Sequence, residues 1–280
     1  MAKLITTIGV IILVITGCSA EPVDDGRVKF YALDCGAIDV SDMSTFSREG
    51  KFDGEEYALV VPCFLIRHPK GDLLWDSGLE QSLADTPDGI GGGGFHSKLK
   101  MKLTDQIAQL GLTPNDIEYL SISHSHPDHA GNANLFAGST FIANEAEHSF
   151  MFSDEMKANS EWFELYSALE NADTVMFENE YDVFGDGILV IKSMPGHTPG
   201  SSVLLVRLRN AGPLLLTGDL YTHAGARELR AVPTFNIDAQ ATLESMDQFE
   251  ALAIKENARV VIQHEKADFE GLPIFPEFLD

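Results

Sequence analysis

The stretch "SISHSHPDHAGN", Ser121 to Asn132, constrains this chain more than any other. It places three of the nine histidines and an aspartate, His124, His126, Asp128 and His129, directly after the run "IEYLSIS". If that run is a strand and stays extended, His124 and His126 project from the same side, because side chains alternate along extended backbone. Pro127 then turns the chain, and Asp128 and His129 can face a second point nearby. Four potential ligands on one loop suit two adjacent metal ions. A single zinc takes about four ligands in all, and crowding keeps four near neighbours from converging on one ion. Two ions need further donors, so the fold must bring other loops to this one.

Those donors stand downstream. His197 lies in "SMPGHTPGSS", Asp219 in "LLLTGDLYT" and His264 in "RVVIQHE". Each follows an apolar run that reads as a buried strand, where loops gather at one sheet edge and function concentrates. A lone His197 or His264 would read as an ordinary satisfied histidine. Taken with the opening loop, they read as one site. His68, His96, His148 and His223 lack such settings and read as ordinary.

Further strands are expected at "VKFYALDC", "YALVVPCFLIRH", "DLLWDSG", "STFIAN", "DTVMF", "GILVIKS", "SSVLLVRL", "GPLLLTGD" and "ARVVIQH". "SKLKMKLTDQIAQLGL" reads as a helix stopped at Gly111, and a last helix spans Ala239 to Asn257 with Asp238 as N-cap. Strands in two halves, each followed by helix, predict an α/β fold of two packed sheets with helices outside, an αββα sandwich. The glycine-rich "DTPDGIGGGGF" formally holds G-x-G-x-x-G at Gly89, Gly91 and Gly94. No strand leads into it, so it reads as a mobile loop and not a nucleotide cradle.

The formal charge of -24 disfavours nucleic acid and anionic lipid heads as partners. The N-terminus adds a separate expectation. Leu4 to Ile15 is largely apolar but too short to cross a bilayer, so residues 1–17 read as a signal peptide and residues 18–280 as one domain. Ile15-Thr16-Gly17-Cys18 resembles the lipobox of bacterial lipoproteins, which implies a lipid anchor on Cys18 and an exported protein in the cell envelope, at the outer membrane or in the periplasm. Cys35 and Cys63 are too few for a disulfide framework; pairing and two buried thiols are both open.

At these residues the chain resembles the metallo-β-lactamase superfamily. Asp76 in "WDSG", His124-x-His126-x-Asp128-His129, His197, Asp219 and His264 occur in that superfamily's order. The resemblance implies that His124, His126 and His197 hold one metal, that Asp128, His129 and His264 hold the other, and that Asp219 bridges them. It implies that Asp76 orients a ligand from behind. Two divalent ions, zinc by donor type, would acidify a shared water, so hydrolysis follows.

Within the superfamily the chain looks most like the N-acyl-homoserine lactone lactonases. "FYALDCGAIDV", "VVPCFLI", "LLWDSG" and "FPEFLD" carry that likeness. A bridging Asp219 argues against the main β-lactamase branches. A C-terminal segment with only Lys266 argues against a glyoxalase II-like thioesterase, and the acidic charge argues against the nucleases. The implied activity is lactone opening (quorum quenching) by a hydroxide between the metals, on a small lactone or ester substrate. Asp128 would assist the leaving alkoxide and Tyr221 would bind the carbonyl. Tyr221 stands two residues past Asp219 where the family has three, and Gln263 and Glu265 flank His264 where many members have Gly and Asp. Another hydrolase of this fold, or a non-catalytic metal-binding lipoprotein, are the alternatives. Phe46, Phe52 and Phe95 lie in segments that could line a pocket.

Overall fold

The computed structural model describes residues 26–280. The signal-like segment 1–17 and Cys18 lie outside the described residues. The first sheet has eight strands: β1 (Lys29–Val40), β2 (Tyr57–His68), β3 (Gly71–Trp75), β4 (Ile90–Gly92), β5 (Phe95–Lys98), β6 (Tyr119–Ser121), β7 (Thr140–Asn144) and β8 (Thr174–Phe177). Their spatial order is β4-β5-β1-β2-β3-β6-β7-β8. The second sheet has five: β9 (Glu180–Asp182), β10 (Leu189–Ser193), β11 (Ser202–Leu208), β12 (Gly212–Leu216) and β13 (Arg259–Val261), in the order β13-β12-β11-β10-β9.

Alternation along the strands decides which layer each side chain joins. Phe64 and Ile66 of β2 face Leu204, Val206 and Leu216 of the second sheet, in a core between the sheets that also holds Trp75 and Val261. Cys63 and Leu65, one residue out of phase, face the other way and pack under helices with Leu74, Leu103, Ile107, Phe141 and Tyr166. Val203, Leu205 and Leu215 pack on Met246 and Phe249 on the outer face of the second sheet. Each buried Leu, Ile or Phe of this kind contributes about 1.5–3 kcal/mol.

The helices are α1 (Leu103–Ala108), α2 (Pro127–Ala130), α3 (Glu145–Met151), α4 (Asp154–Ala158), α5 (Ser160–Tyr166), α6 (Ala224–Leu229), α7 (Ala239–Glu256) and α8 (Lys266–Glu270). The layers are therefore helix, sheet, sheet, helix, as the sequence predicts. In α7 the Asp238 side chain accepts from the backbone N–H of Gln240 and Ala241, and Asn257 ends the helix in the left-handed conformation.

Two expectations are corrected. The glycine-rich segment is not a bare loop: β4 and β5 form a hairpin whose second strand pairs with β1, Val40 opposite Phe95. Consequently the helix expected from Ser97 starts only at Leu103. Backbone pairing to an open sheet edge outweighs helical propensity over Phe95–Lys98. Cys35 and Cys63 are joined by a disulfide between β1 and β2, with Cα atoms 5.7 Å apart.

Parallel pairing brings the strand ends to one edge. Trp75 of β3 lies level with Ser121 of β6, and Leu216 of β12 lies level with Val261 of β13. Asp76, His124, Asp219 and His264 all follow within three residues of those ends. Both ends of the described residues lie at the opposite edge. Lys29 pairs there with Arg67, Phe30 bridges Leu279, and Arg27 pairs with Asp280.

Candidate metal centre

The seven residues singled out in the sequence converge. His124 Nε2, His126 Nδ1 and His197 Nε2 stand 3.0 Å from one another. His129 Nε2 and His264 Nε2 stand 3.1 Å apart, with Asp128 Oδ2 3.5 Å from His264. Asp219 sits between the groups. Its Oδ1 lies 3.0 Å from His264 and 3.2 Å from His129, and its Oδ2 lies 3.4 Å from His197. Four ligands held tetrahedrally at about 2.0–2.1 Å from a zinc lie about 3.3 Å apart, so both groups have the right spread.

The hydrogen bonds behind the rings set the direction of the lone pairs. His264 Nδ1–H donates to the Val60 carbonyl at 2.7 Å, and His197 Nδ1–H donates to Asn236 Oδ1 at 2.8 Å. His129 Nδ1–H donates to Asp76 Oδ2 at 3.0 Å. In each neutral ring the inward nitrogen is then left as an acceptor. Facing acceptors cannot satisfy one another. The buried Asp219 Oδ1 likewise has no hydrogen bond of good geometry among the described residues. A cation at each group resolves both conflicts, so the residues fit two divalent ions: His124, His126, His197 and Asp219 for one, and Asp128, His129 and His264 for the other, with Asp219 Oδ1 also within reach of it.

Electrostatics divides the site in two. Burial holds His124 well below the ordinary imidazole range, reinforced by His129 and His197. Burial and the neighbouring His197 bring His126 down to about 3. Burial also opposes a charge on His129, yet the carboxylates of Asp219, Asp76 and Asp128 outweigh it and hold that ring well above the usual range. His264 is raised in the same way, chiefly by Asp219. Burial would push Asp219 up, but His264 and His129 hold it well below the usual carboxylate range. His124 and His126, both held neutral, therefore face a carboxylate-rich half that draws positive charge.

Residues not singled out complete the site. Gln263 is wholly buried; its Nε2 donates to Asp76 Oδ2 at 2.7 Å, while its Oε1 accepts from Trp75 Nε1 and the Gly218 N–H. The Trp162 ring lies 5.2 Å from His126, Phe235 lies 5.8 Å from His197, and Phe46 lies 5.3 Å from Phe235. Glu147 of α3 reaches the loops on either side of the histidines. Gln263 and Phe46 left a trace in the sequence, the first as a bulky residue where the resemblance implies glycine, the second as an aromatic in a segment that could line a pocket.

Tyr221 does not join the cluster. Its ring packs on Phe249 in the outer core of the second sheet, and its hydroxyl donates to Glu250 Oε1 at 3.1 Å, beside Arg227. Burial and Glu250 both disfavour its ionisation. The expected contact with a substrate carbonyl is corrected accordingly: the turn after Asp219 carries the ring into the outer core of the second sheet.

A family model described as "Metallo-beta-lactamase superfamily" matches residues 57–264. An N-acyl homoserine lactonase AttM of Azorhizobium caulinodans is 30% identical over 265 residues, covering 90% of this chain and 99% of the relative. The N-acyl homoserine lactonase AttM of Agrobacterium fabrum is 31% identical, covering 90% and 98%. A solved N-acyl homoserine lactone hydrolase, with the product N-hexanoyl-L-homoserine bound at its catalytic metal center, superposes with a TM-score of 0.75 at 25% identity, covering 90% of this chain and 99% of that one. With its seven converging ligands and these relatives, the chain belongs to the metallo-beta-lactamase superfamily and, within it, to the family of the N-acyl homoserine lactonases.

Proposed function

We propose that this protein is a metal-dependent hydrolase that opens the ring of N-acyl homoserine lactones and so quenches signalling by them. The observation that carries the reading is Asp219, whose two oxygens each face one donor group, in a chain whose relatives are lactonases. Two divalent ions, zinc for this donor set, supply Lewis acidity and lower the pKa of a water towards neutrality. His124, His126 and His197 would hold one and Asp128, His129 and His264 the other, with Asp219 contributing to both. Asp128 is more exposed than Asp219, its side chain at 20% against 8%, so it can carry a proton to the leaving alkoxide. Trp162, Phe235 and Phe46 form an apolar flank for an acyl chain, and a neutral lactone meets no repulsion from the acidic surface.

The test is turnover by the mature domain, loaded with zinc or stripped by chelator, on acyl-homoserine lactones, a penicillin and a glutathione thioester. We expect lactone turnover that vanishes on stripping. Turnover of the penicillin or thioester alone sinks the reading. In the same assay Tyr221→Phe is expected to leave kcat within about twofold of the parent and to cost about 1 kcal/mol of stability, since its hydroxyl serves Glu250. A hundredfold fall in kcat would restore the tyrosine to the site.

We further propose that the protein is exported and anchored through a lipid on Cys18. The lipobox-like residues support this, and so does the buried Cys35–Cys63 bridge, because disulfides persist in oxidising compartments. Cys18→Ala should move the protein from the membrane to the soluble fraction; an unchanged distribution refutes the anchor.

A further inference from the structure

The x of H-x-H faces away from the ligands. His124 and His126 project into the centre, while Ser125 between them, in the bend after β6, meets the scaffold. What meets it there is Glu147, in the first turn of α3 and 3% exposed. Glu147 Oε1 accepts from the Ser125 N–H at 2.8 Å and from its hydroxyl at 2.7 Å. Oε2 accepts from the Thr198 hydroxyl at 2.6 Å and from the Gly200 N–H at 3.0 Å.

All four donors belong to two loops, and those loops carry the three histidines of one donor group. Ser125 is flanked by His124 and His126; Thr198 follows His197. The fit is close. A Cβ on Gly200 would stand 2.3 Å from the Glu147 N and 2.5 Å from Asn144 Oδ1, so only glycine lets the His197 loop seat on α3. The other donor group has supports that Glu147 does not touch, Asp76 and Gln263 behind His129 and the Val60 carbonyl behind His264, and the Ser123 hydroxyl is shared between His124 and His129.

We propose that Glu147 is a positioning residue that fixes the separation of the His124–His126 loop from the His197 loop, and thereby sets the affinity of the three-histidine half for its ion. The inference rests on the metal-hydrolase reading above. One carboxylate bonded to both loops holds their relative position to within hydrogen-bond tolerance. The ligands then need no reordering when the ion binds. Hydrogen-bonded supports of metal ligands of this sort are worth about 10–100-fold in affinity.

The experiment is zinc competition against a chromophoric chelator for the parent, Glu147→Gln and Thr198→Ala, with the melting temperature of each stripped protein measured alongside. Glutamine keeps the shape but offers a donor where Oε2 or Oε1 must accept. We expect Glu147→Gln to bind one zinc about 10–100-fold more weakly and the other as the parent does. The weakened ion should be the one also lost in His197→Ala. Thr198→Ala, which removes one of the four bonds, should weaken the same ion by a smaller factor, and the two changes should not add. A support that only stabilises the fold would lower the melting temperature and leave both zinc affinities alone, and that result overturns the proposal. Equal weakening of both ions overturns it too. If Glu147→Gln does not fold, Thr198→Ala decides by the same criteria. A parent that binds fewer than two zinc ions sinks the metal-hydrolase reading itself, and this inference with it.

Discussion

Asp219→Ala should purify with less than one metal ion per chain and lose lactone hydrolysis by at least about a thousandfold. Its carboxylate reaches the inward nitrogens of both donor groups: Oδ1 lies within 3.2 Å of His129 and His264, and Oδ2 within 3.9 Å of His124 and His197. Removing it takes a ligand from each ion. It also leaves His129 and His264 without the charge that most strongly raises their proton affinity. Asp219→Asn keeps the volume and one good acceptor oxygen. It should retain one ion and fall between the parent and the alanine variant. Elemental analysis and lactone turnover measured together decide the matter. An alanine variant with two ions and a tenth of parental activity would mean that the centre is not organised around this carboxylate.

The second large effect concerns stability. Replacing Cys35 and Cys63 together by alanine should lower the melting temperature by about 7–14 °C. The bridge closes a loop with a sequence separation of 28, and removing such a closure costs about 3.5 kcal/mol in the chain-entropy account. For a domain of this size each kcal/mol is worth about 2–4 °C. The loop it closes carries Met43, Phe46, Phe52 and Leu59, which cluster with Leu79 and Leu83. The histidines are not on it. Zinc binding should therefore survive while KM for long-chain lactones rises through loosening of Phe46. A melting point within 2 °C of the parent would show that the strand pairing of β1 and β2 already fixes this segment unaided.

The ligands were legible because a ligand must be a particular residue type at a strand end. His124, His126, His197, Asp219 and His264 each satisfy both conditions in the sequence. The buried strands announced themselves in the same way, and Asp238 marked the start of α7. What supports the ligands left little trace. Glu147 sits four residues before the buried Met151, on the inward side of a short helix, and an acid there looks like any other until its four donors arrive from loops 22 to 53 positions away. Tyr221 failed for a local reason. Its direction depends on the turn after Asp219, and the sequence does not show which face that turn presents. The β5 strand was hidden because its partner β1 lies far off in sequence, and propensity within Phe95–Lys98 carries no word of it.

The polarity of β1 has an outcome for how the molecule meets its surroundings. From Lys29 to Ala37, opposite Val60 and hence level with His264, the strand climbs roughly 26 Å at 3.3 Å per residue. The C-terminal Leu279 bonds Phe30 at the starting rim. A bead or fluorescent partner joined directly at Gly26 would therefore meet the domain at the rim opposite the metal ligands and leave that mouth uncovered.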